Sequence, residues 1–394
     1  MYKSRHYFEQ GATALIIVIF SILLLTTVTV GFMRLVVNDQ ARSTNDELSR
    51  GAYDSAMAGV EDGKRVLEAC RLDSSSDACK AISDQKCTTI SEAGLVTPSA
   101  DGDVLLKTEN GADGGYDQAY TCVIVSPDTQ DYKGSLENDS SRIIPLDTTG
   151  ATGSSFNSLT ILWFKRGTLL NGTSATARPA SSESFPTVAG WLPASNPPTV
   201  VPPVIRAELM TYKKGGFDAS NFDQSAAKGA NAGTNTLFLY PSTNGVTSST
   251  FLKDGRTRMG ATSLIVRSQC DDSDATYFCH TTLTLPQSLT PVSDLTGYTA
   301  SLRLTSIYGG TDFAVKLPTG TEFAGVQPII DSTGRAADIF RRVEARVERV
   351  NPNENDLYPR STVDLTNNFC KAFSVPLTDN YSYVNIYRST DCAY

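Results

Sequence analysis

The sequence predicts an α+β protein. A long N-terminal helix, membrane-spanning in its first half and amphipathic in its second, packs on a β-rich extracellular head with disulfides. Three observations lead there. Residues 12–33 contain no charged side chain. Helical periodicity then continues to about residue 70. From Cys70 onward the pattern changes to strands and turns, and all eight cysteines lie in that part.

The apolar run opens with "QGATALIIVIFSILLL". As a helix, Ala12 to Met33 extends about 33 Å, which matches the hydrocarbon core of a bilayer. A secretory signal has a shorter apolar stretch, roughly 7–15 residues, and no small-x-small cleavage site follows here. The segment is therefore expected to stay in the mature chain. Lys3 and Arg5 favour an inside N-terminus, while Arg34, Arg42 and Arg50 follow on the far side among Asp39, Asp46 and Glu47.

The cysteines settle the orientation. Three pairs close local loops: Cys70 with Cys79, Cys270 with Cys279, and Cys370 with Cys392, leaving Cys87 with Cys122. Eight cysteines allow many connectivities, so the pairing stays open at this point. A metal site is the rival use, but the chain has no C-x-x-C and only His280 lies beyond the apolar run. Disulfides form outside the reducing cytoplasm, which puts the N-terminus inside and the head outside a single-pass inner membrane.

Past the apolar run, residues 34–70 read as an amphipathic continuation of the same helix. Leu48, Ala52, Ala56, Val60, Gly63 and Leu67 fall on one face. The face is small and weakly apolar, so it should pack closely on something rather than drive folding alone. Gly51, Gly59 and Gly63 each cost up to ~1 kcal/mol relative to alanine and allow bends. No proline occurs before Pro98, so one continuous helix from about residue 12 to residue 67 is expected.

The head divides by pattern into a β-rich region at 71–192, a proline-rich linker or crossover at 193–204, and a β-rich C-terminal region at 205–394. Five residues between Trp191 and Pro203 are proline, which favours an extended backbone and suggests a boundary there. Strands are expected at Ser158–Lys165, around Ile205–Leu209, at Thr236–Tyr240 and at Ser263–Gln269. "SLRLTSIYGGTDFAVKL" reads as a hairpin turning at Gly309-Gly310. In "RVEARVERV", Val343, Ala345 and Val347 should face inward, and Glu344, Arg346 and Glu348 outward. Alternation of arginine with glutamate makes that strand a self-neutralising face rather than a nucleic-acid site.

Catalytic chemistry lacks parts. There is no G-x-S-x-G, H-E-x-x-H or Walker A loop. Ser83 and Lys86 match S-x-x-K without its companion motifs. Asp271, Asp272 and Asp274, like Glu354 and Asp356, are calcium candidates with backbone carbonyls, though solvated turns are preferred and no metal or other cofactor is expected. The net charge of −8 gives no general affinity for nucleic acid.

A leader ending in glycine, a long apolar helix, its amphipathic extension and a disulfide-bearing β-rich head together resemble the type IV pilin and pseudopilin family. Residues 1–70 carry the resemblance, and "AYDSAMAGVEDGKRVL" is most similar to minor pilins with a PilX-type N-terminus. The resemblance implies a leader at residues 1–11, cleavage after Gly11 by a prepilin peptidase, and methylation of the new terminus at Ala12. It implies that residues 12–33 form a filament core. Other pilins, an assembly platform and an ATPase would be separate partners, beside the membrane. Cys370 and Cys392 resemble the C-terminal disulfide loop of many pilins. Ile16 departs from the pattern, because many pilins place a glutamate there to pair with a neighbour's terminal amine. Its loss fits a tip or initiating subunit, or a lineage in which the pairing is dispensable. A non-polymerising, signal-anchored adhesin is the alternative.

Overall fold

The structure, a computed structural model, describes residues 9–106, 117–151, 153–166, 174–175, 191, 199–214, 233–251, 265–348, 375–376 and 383–384. The chain separates into two units, Met1–Val350 and Asn351–Tyr394. Three helices come first: α1 (Glu9–Leu72), α2 (Asp77–Asp84) and α3 (Thr89–Glu92). The strands are β1 (Val104–Leu105), β2 (Gln118–Ser126), β3 (Asp131–Leu136), β4 (Ser141–Pro145), β5 (Phe156–Lys165), β6 (Ser174–Ala175), β7 (Thr199–Val200), β8 (Val204–Lys213) and β9 (Gly233–Ser242). They continue with β10 (Ser248–Thr250), β11 (Ile265–Cys270), β12 (Tyr277–Leu289), β13 (Tyr298–Ile307), β14 (Thr311–Lys316), β15 (Ile329–Ala336) and β16 (Ile339–Arg346). In the second unit, β17 (Val375–Pro376) pairs with β18 (Tyr383–Val384).

Helix α1 is longer than its periodicity suggested, 64 residues without a break. Its C-terminal half lies on a four-stranded sheet of order β1-β2-β15-β16. The buried face is made of Gly51, Ala52, Ser55, Ala56, Gly59, Val60, Gly63 and Val66. These residues are small because the sheet comes so close. A Cβ on Gly59 would stand 2.3 Å from Ser332 Oγ, and one on Gly63 2.8 Å from Ile330 Cγ2. From the other side, a Cβ on Gly334 of β15 would stand 2.2 Å from the Ala56 nitrogen and 2.3 Å from the Ala52 oxygen. The helical glycines therefore set the contact distance rather than bending the helix. Val343, Ala345 and Val347 pack inward against this seam, as their alternation suggested.

Polar contacts also cross the seam, one of them from Arg341 of β16, which donates to Ser49 Oγ of α1 at 2.6 and 2.8 Å. The Tyr120 hydroxyl donates to Asp62 Oδ2 at 2.7 Å. Burial first, and then that hydrogen bond, hold the phenol well above its ordinary value of 10.0. A group that keeps its proton longer when folded stabilises fully below its unfolded value and loses that contribution as pH rises. Helix–sheet docking should therefore weaken above pH 10, and circular dichroism should show Tyr120→Phe without this alkaline step.

The larger sheet runs β3-β14-β5-β12-β11-β9-β8-β13-β4, with β10 added in parallel to β12. Its first and last strands are consecutive in sequence, joined only by Glu137–Ser140, where the Asp139 amide donates to the Ser306 carbonyl. A link this short between opposite ends of a sheet requires the sheet to curl until its ends meet. Trp163, Leu209, Leu239, Leu302 and Phe313 fill the single core enclosed by the curl.

Two expectations are corrected here. β13 and β14 do reverse at Tyr308–Gly310, but they do not pair with each other. β13 pairs with β8 and β4, while β14 pairs with β5 and β3. Gly310 serves a close approach instead, since a Cβ there would meet the Leu136 oxygen at 3.0 Å. Nor does the proline-rich segment separate two domains. Strands from before it and after it interleave in one sheet, and the Pro203 carbonyl accepts a hydrogen bond from buried Trp163 Nε1. Proline fixes an extended backbone, which suits a crossover within a fold as well as a linker between folds.

Three disulfides link Cys70 to Cys79, Cys87 to Cys122, and Cys270 to Cys279. The first joins the end of α1 to α2, the second joins the chain before α3 to β2, and the third spans β11 and β12 at facing positions. Cys370 and Cys392 lie outside the described residues.

Candidate membrane and assembly helix

The first half of α1 is the one long apolar surface that the described residues leave uncovered. From Leu15 to Val37 its large apolar side chains are between 50% and 71% exposed, with Ile16 at 56%. By length and composition this helix can cross a membrane, with a mean hydropathy of 2.7 over its most apolar window. Three of its threonines are satisfied from within. Thr26 donates to the Leu23 carbonyl, Thr27 to Leu23 and Leu24, and Thr29 to Leu25. A hydroxyl bonded back to its own helix needs no water, so it adds little cost in lipid. Gly31 has nothing near the position of a Cβ and leaves a notch on this surface.

The helix backbone begins at Glu9, so Gly11 and Ala12 sit in its first turn. Glu354 and Asp356 lie outside the described residues. The other sites named from sequence are accounted for by local structure. Asp271 accepts from the Ser273 amide, Asp272 pairs with Arg166, and Asp274 accepts from the Thr276 and Tyr277 amides. Asp271 and Asp274 hold turns, and their pKa values respond accordingly. The Ser273 hydrogen bonds hold Asp271 below its ordinary value, and the Tyr277 and Thr276 amides do the same for Asp274 against its burial. Ser83 donates to the Lys80 carbonyl and Lys86 pairs with Asp84, so the S-x-x-K residues do not engage each other. His280 lies in the β11–β12 ladder opposite Gln269.

Sequence reasoning missed the partner of the small helical face, Gly334. The signal was present only in part: glycines at 51, 59 and 63 share a face, but nothing marked a strand glycine as their counterpart. No protein-family model, curated protein or solved structure matches this chain.

Proposed function

We propose that this chain is a structural subunit of an extracellular filament, a minor pilin or pseudopilin, and not an enzyme. One observation carries the proposal. A single unbroken helix has an uncovered apolar first half and a second half seated on a disulfide-bearing head. An apolar helix surface of this kind is stable in lipid or against like helices, and both environments are needed by a subunit that moves from a membrane into a filament. The helix would cross the inner membrane with its N-terminus inside. The head would fold outside, where its disulfides form.

Cleavage after Gly11 would leave Ala12 as the mature terminus, which becomes methylated. A glycine at that bond gives the peptidase's carboxylates access that a side chain would block. Ile16 avoids burying a carboxylate without its amine partner in a dry core, an arrangement costing several kcal/mol. A subunit at the filament tip has no neighbour above to supply that amine, so Ile16 suits the tip, and the large head would be displayed there for adhesion or initiation. Peptidase, assembly platform and ATPase act as separate proteins.

Mass spectrometry of the natural protein should find its terminus at a methylated Ala12. Gly11→Leu should accumulate the uncut precursor. A mature protein that begins at Met1 overturns the proposal in favour of a signal-anchored adhesin. For tip placement, antibody against the head should mark filament ends only, and uniform decoration of the shaft rules that placement out.

A further inference from the structure

The alternation of arginine and glutamate along β16 suggested a self-neutralising surface, but the charges at its end reach the other sheet. The curled sheet enters the chain between β2 and β15, which pair with each other under α1. It is thus an insertion, joined to its host by two crossings, residues 127–130 and 317–328. The crossings lie side by side. The Thr129 amide donates to the Phe323 carbonyl at 3.2 Å, the Phe323 amide to the Thr129 carbonyl at 2.7 Å, and the Gly325 amide to Asp128 Oδ1 at 3.0 Å. Among the described residues no strand of one sheet pairs with a strand of the other. The buried clusters inside the curl and under α1 share no residue. Two parts joined in this way, without a common apolar core, move on each other unless something holds them.

The end of β16 supplies the hold. Arg346 Nη2 donates to Asp131 Oδ1 of β3 at 2.8 Å, and its Nη1 to the Asp131 carbonyl at 3.0 Å and to Gln327 Oε1 at 3.2 Å. Two residues on, Glu348 pairs with Arg142 of β4 at 2.7 Å and accepts from the Tyr132 hydroxyl at 3.2 Å. Gln327 fixes the second crossing to the curl, donating to the Lys133 carbonyl at 2.7 Å and accepting from its amide at 2.9 Å. The pivot on that side is therefore left to Pro328. Arg346 and Asp131 are 19% and 20% exposed, against 47% for Glu348, so the first pair is the stronger. We propose that Arg346 and Glu348 form an ionic latch across a hinge. Engaged, they hold the inserted curl in one orientation on the helix-bearing sheet; released, it swings about residues 127–130 and Pro328. The inference goes beyond the function proposed above and holds whether or not α1 builds a filament.

The test measures the distance between nitroxides carried on p-acetylphenylalanine at Ser135 of β3 and at Asp338 of the β15–β16 turn, both exposed, in the full chain in detergent micelles. The parent should give one narrow distance. Glu348→Arg faces Arg142 with a like charge and should raise the population outside that peak about fivefold, the weight of one exposed pair turned to repulsion. Arg346→Ala should raise it about tenfold or more, because the pair it breaks is more buried. Adding Arg142→Glu to Glu348→Arg restores the pair with its charges exchanged and should return the narrow peak. Helical dichroism and tryptophan fluorescence on the same samples check that both parts stay folded, and Glu348 is exposed enough for its variant to fold even where Arg346→Ala does not. A parent that is already broad, a narrow peak kept in Glu348→Arg and in any folded Arg346→Ala, or a Glu348→Arg population that Arg142→Glu does not reverse overturns the latch.

Discussion

Gly334→Val should unseat α1 from its sheet, costing about 3 kcal/mol or more, at or above the upper end of ordinary overpacking. The atoms in the way decide the size. A Cβ at Gly334 would lie 2.2 Å from the Ala56 nitrogen and 2.3 Å from the Ala52 oxygen, both in the backbone of a regular helix. Neither atom can move without breaking the helix, so the whole helix must lift. Lifting it exposes the cluster of Val60, Val66, Tyr120, Val123 and Ile330. Gly59→Ala should cost less, since its nearest obstacle is the Ser332 hydroxyl, which can rotate. Gly309→Ala is the control, with nothing within 4 Å of the new methyl. Thermal unfolding followed by circular dichroism should rank Gly334→Val far below Gly59→Ala and leave Gly309→Ala near the parent. A Gly334→Val protein as stable as the Gly309→Ala control would mean that the helix is not held at this distance.

The same contrast shows what the sequence could tell. The long helix was legible because an uncharged apolar run and then a small-residue face each impose a period along one element. The Cys70–Cys79 and Cys270–Cys279 disulfides were legible as candidates because short loops close easily, whereas Cys87–Cys122 was only the pair left over. Neither inference needs to know what lies across the fold. Gly334 was not legible, because a glycine in "DSTGRA" looks like any strand glycine until a helix is laid over it. The β13–β14 hairpin failed for a related reason. Leu302, Leu304, Phe313 and Val315 alternate along the two strands, and all four are fully buried. Alternation tells which way a side chain faces but not which strand lies beside it. That choice belongs to the curl of the whole sheet. The proline-rich segment misled in the same way, since composition reports a stiff backbone and is silent on whether strands from both sides later meet.

Replacing Cys87 and Cys122 together by alanine should destabilise the helix-bearing part of the head by about 3–4 kcal/mol, while Cys270→Ala with Cys279→Ala should cost the rest of the head about 2–3 kcal/mol. The loops enclosed are 35 and 9 residues in sequence separation, and constraint of the unfolded chain grows slowly with loop length. The structure adds where each loss will be felt. Cys87–Cys122 fastens the chain between α2 and α3 to β2, next to the Val123 amide that donates to the Cys87 carbonyl. Its removal frees one end of the strap that covers α1, where Ala78, Ile82 and Ile90 are buried. Cys270–Cys279 lies within a ladder that backbone hydrogen bonds already hold. Trp163 and Trp191 are both buried in or against the larger sheet, so their fluorescence follows that part, whereas helical dichroism follows α1. Denaturation of the Cys87/Cys122 variant should therefore lower the dichroism midpoint with little change in fluorescence, and the Cys270/Cys279 variant should do the reverse. Coincident shifts in both probes for both variants would show that the two cores unfold as one, and that the disulfides stabilise the head as a whole.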